Sequence, residues 1–270
     1  MTASVLRIAR HDFLNVRRSR LLWGVVAAYA MFTVLLVISG ATSDITGATQ
    51  LLVGVTGVTA VVLPVVGIVA GYLAIAGERE DGTITYRLGL PDSRLALVVG
   101  KLLSRGATVV LGLGAGFAVA LGLAFAMFGS VDPGVFGRFV AISTVFALTN
   151  AAVAVGLSAL SSSRARAMTL AGGFYVVGDV LWLIGSGYVV DAVETVGGVV
   201  GVTVSAREAA LVTALSPVGA YLEAMELAFA PAEAARAADA VPWFGFGMLL
   251  VWGVAVPAVG YWRFRTAELA

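Results

Sequence analysis

Long apolar runs alternate with short polar stretches along nearly the whole chain. Six runs, at about 21–39, 51–75, 106–128, 139–160, 169–188 and 243–262, are each near the roughly 20 residues that a helix needs to cross about 30 Å of hydrocarbon. The pattern predicts six transmembrane helices; the apolar stretch 196–204 is too short to cross. Ahead of the first run, Val5, Leu6, Ala9, Phe13 and Val16 fall on one helical face, with Arg7, Arg10, His11, Arg17 and Arg18 opposite. That spacing predicts a basic amphipathic helix over about 4–19 lying in the membrane interface, with His11 solvated on its polar side. The "SGA" at 39–41 faintly matches a signal-peptidase site, but the preceding apolar core is longer than a secretory core, so a retained helix is expected.

The connection 189–242 is too short and too apolar for a separate binding domain. Leu211, Leu215, Val218, Leu222, Met225 and Phe229 recur at helical spacing, and Ser216-Pro217 reads as a cap followed by a first-turn proline. Two short helices before the last span are expected, re-entrant-like and dipping into the outer leaflet or simply packed against the bundle. The fold class is therefore an all-α integral membrane protein, with residues 1–270 forming a single transmembrane domain.

Composition agrees with lipid as the solvent. The 270 residues are 60% hydrophobic and 12% charged, with mean hydropathy +0.98, against about a quarter charged in soluble domains. The net charge of +1 is less informative than where each charge sits. With the amino end inside, every Lys and Arg of the 17 falls in an inside segment except Arg138, Arg207 and Arg236. The positive-inside rule then predicts a multi-pass cell-membrane protein with both termini cytoplasmic. The absence of cysteine removes disulfides and thiolate metal sites, and the single histidine, His11, removes His-based metal centres. No catalytic constellation and no metal site are expected, and no nucleic-acid partner.

Inside the spans, Gly67/Gly71 and Gly112/Gly116 have the small-xxx-small spacing of closely packed helices, and Pro64 and Pro257 are candidate kinks. Asp179, in "FYVVGDVLWLIG", falls near the middle of the fifth run. An ionised carboxylate there costs several kcal/mol unless it faces protein or water. It is either part of a substrate or ion path or a hydrogen-bonded packing residue, with Asn150 of the fourth run or a nearby hydroxyl as its partner.

One polar stretch carries more than topology needs. In "GEREDGTITYRLGLPDSR" and the residues after it, from Glu78 to Lys101, acids sit beside arginines although acids contribute little to orientation. Gly82 allows a sharp turn out of the second span, and Ser93 can cap a helix running through Arg94, Lys101 and Arg105 into the third. The positions Glu78, Gly82, Thr83, Ile84, Leu88, Pro91, Ser93, Arg94, Gly100 and Lys101 resemble the first cytoplasmic loop of permease subunits of type 2 ABC exporters. The likeness is to the small six-span group that includes the nitrous-oxide-reductase maturation permease. It implies a permease domain over 1–270 and a coupling loop over about 76–100, in which Glu78, Arg79, Glu80, Asp81, Gly82, Thr83, Pro91, Ser93, Arg94 and Lys101 engage a cytoplasmic ABC ATPase. It further implies a second permease copy or paralogue, and ATP and Mg bound by the ATPase rather than by this chain. The chain's own Gly100-Lys101 is no phosphate loop, because Leu95 stands where its first glycine should be and Leu102 where Ser or Thr should follow. A gradient-driven carrier using Asp179, and a non-transporting membrane scaffold, are the competing readings.

Overall fold

The computed structural model describes residues 2–16, 47–84, 93–199, 201, 203–230 and 240–267, with scattered positions between 23 and 38. Among them there is no strand. In chain order the elements are α1 (Thr2–Val16), α2 (Ala48–Gly71), α3 (Ala76–Glu80), α4 (Arg94–Phe128), α5 (Pro133–Leu160), α6 (Arg164–Phe174), a π-helical turn π1 (Tyr175–Leu181), α7 (Trp182–Val199), α8 (Ala206–Thr213), α9 (Pro217–Phe229) and α10 (Ala240–Thr266). Five stretches are long and apolar enough to cross a membrane: Ala48–Glu80, Arg94–Phe128, Pro133–Leu160, Arg164–Val199 and Val241–Thr266. The chain is an all-α multi-pass membrane protein. The sixth expected span, 21–39, lies outside the described residues apart from scattered helical positions such as Val26 and Ala30.

The central helix is α5, which packs against α2, α4, α9 and α10. Its start is fixed by Asp132, whose carboxylate accepts from the amides of Gly134 (2.7 Å) and Val135 (3.0 Å), and by Pro133 in the first turn. Small residues set the spacing around it. A Cβ on Gly67 would lie 2.6 Å from the Ala147 carbonyl oxygen, and one on Gly71 2.6 Å from that of Ala151. The expected small-residue pair thus brings α2 against α5. On α4, Gly112 and Gly116 instead face Val26 and Ala30. Pro64 and Pro257 lie inside α2 and α10 respectively.

The helices α8 and α9 form the expected pair before the last span, with Ser216 accepting from the Gly219 amide at 3.0 Å and Pro217 in the first turn. Their corner reaches deep into the bundle. The indole of Trp182, near the middle of Arg164–Val199, donates to the Thr213 carbonyl, and Trp252, near the middle of α10, donates to that of Leu215, each at 2.9 Å. Tyr221 is fully buried, stacked on Phe146 of α5 with centroids 4.4 Å apart and its hydroxyl 3.3 Å from Ser143. Arg138 closes the far end of α9 by donating to the carbonyls of Ala228 and Ala230. Side chains brought from the spans thus meet carbonyls at the corner and at the far end of this pair, while its own Ser216 caps the amino end of α9.

Candidate functional site

The charged residues of the 76–105 region gather at one end of the bundle, where α1, α3, the start of α4 and the end of α10 meet. A small second core underlies them, built from Ile8, Ile75, Ile84, Leu97 and Phe264 among others. Ser93 caps α4 as expected, accepting from the Ala96 amide at 3.1 Å. The chain turns at Gly82 with φ +69°, a conformation that favours glycine. The start of α3 is held by Ser158 of α5, whose hydroxyl accepts from the amides of Ile75 and Ala76 at 3.0 Å each.

Lys101 is the centre of this end. It is 1% exposed, and its ammonium lies 2.5 Å from Asp12 Oδ1 and 2.6 Å from Glu78 Oε1. Asp12 also accepts from the Ser104 hydroxyl and pairs with Arg105, whose Nε is 3.1 Å from Oδ2. Arg105 in turn donates to the Ala70 carbonyl, at the carboxyl end of α2, at 3.0 Å. One buried ionic cluster therefore ties α1, α2, α3 and α4 together. Burial alone would push the Asp12 carboxyl up; the cations of Arg105 and Lys101, with the hydrogen bonds from Lys101 and Ser104, outweigh it and hold the group below the ordinary aspartate range.

Neighbouring residues of the same stretch make further intrachain contacts. The Arg94 guanidinium reaches the last carbonyls of α10, 2.6 Å from Phe264 O and 2.9 Å from those of Arg265 and Ala267, where a cation also suits the negative end of the helix dipole. Arg79 donates to the Ser161 carbonyl at 3.0 Å. The Arg79 and Arg94 guanidiniums lie 6.0 Å and 5.5 Å from the centre of the Phe264 ring. Thr83 donates to the Glu78 carbonyl at 3.3 Å. Glu80 and Asp81 are the exposed acids, paired with Arg164 at the start of α6. Pro91 lies outside the described residues.

Asp12 is the residue that sequence reasoning passed over. At about 100° per residue it falls between Ile8 and Val5, on the side of α1 that the apolar residues share, so an acid on the apolar face was the available signal. Leu6 was expected on that face and is instead 65% exposed, because α1 turns Ile8 and Asp12 inward. A Cβ on Gly100 would lie 2.7 Å from the Ile8 side chain. The Gly-Lys pair thus has a physical account: Gly100 lets α1 lie flush on α4, and Lys101 meets its buried acid.

A profile of the ABC-2 family transporter proteins matches residues 6–269. The chain belongs to this family. Over 171 residues it is 28% identical to the probable ABC transporter permease protein NosY of Pseudomonas aeruginosa, covering 60% of this chain and 62% of that protein. The chain thus spans just under two thirds of that relative's length. Membership in the ABC-2 family places the Glu78–Lys101 stretch in a transporter and agrees with the likeness drawn from its residues.

Asp179 and Asn150 form no pair. Asn150 is fully buried, its amide donating to the Phe146 carbonyl at 3.2 Å while its Oδ1 has no hydrogen-bond partner. Asp179 is 1% exposed in π1, and neither of its carboxyl oxygens has a hydrogen-bond partner among the described residues. The nearby Tyr175 hydroxyl is engaged elsewhere, donating to the Val61 carbonyl at 3.2 Å.

Proposed function

We propose that the chain is the permease subunit of an ABC transporter, exporting its substrate with energy from ATP and Mg bound on a separate cytoplasmic ATPase. The observation that carries this reading is the ionic end of the bundle in a chain of the ABC-2 family. The stretch that resembles a coupling loop is bonded to α1, α5, α6 and α10 at once, so a push on it is delivered to the interfacial helix and to three spans. Exposed Glu80 and Asp81, with Arg164 beside them, offer the ATPase a charged surface, whereas Glu78 and Lys101 transmit from behind it. The excess of Arg and Lys at this end supports a cytoplasmic position for it and for both termini of a cell-membrane protein. A second permease copy or paralogue completes the path, and Asp179 and Asn150 are among the polar residues that the spans contribute to it.

Orientation is tested in intact cells with single cysteines, which the chain lacks natively. Cysteines at Ser43, Thr195 and Ala234 react with an impermeant thiol reagent, and ones at Ser93, Ser162 and Thr266 do not. Labelling of the Ser162 position from outside overturns the reading. Energy coupling is tested by reconstituting the chain with its ATPase in proteoliposomes: hydrolysis stimulated by the permease supports the reading, and hydrolysis indifferent to it contradicts it.

A further inference from the structure

Helix α1 is sealed to α4 on one side and exposed on the other. On the sealed side Ile8 lies against Gly100, and Asp12 meets Lys101, Ser104 and Arg105. On the far side Leu6, Arg10 and Leu14 follow one another at successive turns, with Arg7 and His11 beside them, and all five are exposed. They line an open groove of about 490 Å³.

The depth of α1 in the membrane follows from its contacts. Ile8 and Asp12 lie beside Gly100 and Ser104, six and two positions before Gly106, where the apolar run of α4 begins. At 1.5 Å per residue both contacts fall within about 10 Å of the hydrocarbon edge, at the level of the lipid headgroups. Leu6 is 65% and Leu14 41% exposed at that level, where water would be a poor neighbour and lipid a good one. The same face is cationic because the only acid of α1, Asp12, is turned inward to Lys101. A soluble acidic partner would suit the arginines and leave the leucines unexplained. A purely apolar partner would strip water from the arginines for no return. A lipid that carries net negative charge above its acyl chains suits both.

We propose that the outward face of α1 is a binding site for anionic phospholipid. Arg7 and Arg10 take the headgroup phosphate, for which the planar guanidinium fork is the fitting donor, and His11 donates beside them. Leu6 and Leu14 lie against the glycerol region and the upper acyl chain. The helix that the ionic cluster holds from inside the bundle is thereby held from outside by the leaflet. The inference goes beyond the transporter reading and does not rest on it.

The test uses the full chain alone in phosphatidylcholine nanodiscs, so its outcome is independent of the ATPase. A trace of photoreactive phosphatidylglycerol is added, or of phosphatidylcholine carrying the same photoreactive group, and the adducts are mapped by digestion and mass spectrometry. Adducts within residues 6–14 are expected, several-fold more from the anionic lipid. Arg7→Gln with Arg10→Gln should lower them about thirty-fold, each arginine contributing about fivefold; Arg10→Gln alone, at about fivefold, keeps the test readable if the double variant folds poorly. Arg207→Gln, on exposed α8, and inorganic phosphate at matched ionic strength should leave the yield unchanged. Equal yields from the two lipids, no adducts within residues 6–14, or a yield indifferent to the Arg10 substitution overturns the proposal. So does a yield lowered as much by Arg207→Gln or by free phosphate.

Discussion

Asp12 and Asp179 are both acids removed from water, yet their settings are opposite. Asp12 is met by Lys101, Arg105 and Ser104; Asp179 is met by no hydrogen-bond donor among the described residues. A fully partnered buried charge fixes one arrangement, because any separation of its members exposes an uncompensated ion. An unpartnered buried acid fixes nothing by itself. The charged end of the bundle is therefore held in one arrangement by its ion pairs, whereas the acid in the middle of the fifth span holds nothing in place.

The largest effect expected from this contrast is at Lys101. Lys101→Met leaves Asp12 and Glu78 facing each other without their shared cation and is expected to cost about 3–5 kcal/mol of stability, read by denaturation of the purified chain. Adding Asp12→Asn to it should recover part of the loss. Asp179→Asn, which removes no hydrogen bond, should stay within about 1 kcal/mol of the parent; a loss as large as that of Lys101→Met would erase the contrast.

The next effect is acid loss of the same cluster. An ordinary aspartate titrates near 3.8, and Asp12 is held below that. A lowered carboxyl contributes stability above the unfolded value and loses it as pH falls through the folded one. The contribution of Asp12 should therefore be intact from neutral pH down to about 4 and vanish below. Thermal melts against pH check this: the parent loses stability over that acid range and Asp12→Asn lacks this component.

Smaller effects follow at the edge of the site. Ser93→Ala removes the α4 cap and should cost about 1 kcal/mol without altering the Lys101 cluster. Asp81→Asn breaks an exposed pair with Arg164 and should cost under about 1 kcal/mol, so any large effect of Asp81→Asn on ATPase binding reports docking rather than folding. Comparing the melting midpoint with ATPase co-purification for the same variant separates the two.

Much of this molecule was legible in the amino-acid order because lipid enforces it. The apolar runs, the cap at Ser93, the turn at Gly82, the Ser216-Pro217 start and the Gly67/Gly71 contact all follow from local chemistry that a membrane leaves little room to override. Three features were less legible. The acids of the 78–81 stretch were read as unexplained by topology and as contacts for a partner; what the order did not reveal is that Glu78 also meets Lys101, and Glu80 and Asp81 also meet Arg164, over 23 to 84 positions along the chain. Asp12 was hidden because a helix rich in arginine reads as basic, although its place among Val5, Ile8 and Ala9 marked it as facing inward. The π turn has no local signature, since it depends on how α2 and α9 receive the span.

The proposed grip of a nucleotide-hydrolysing partner on this chain is at the charged end of the bundle. Photoactivatable cross-linkers on single cysteines at Glu80 and Asp81, compared with ones at Glu194 and Glu208 at the other end, test it directly in membranes containing the ATPase. Cross-links to the ATPase are expected from Glu80 and Asp81, changing in yield when ATP is added, and none from Glu194 or Glu208. Cross-links from the Glu194 and Glu208 positions, or none from the Glu80 and Asp81 positions while the complex still co-purifies, would contradict it.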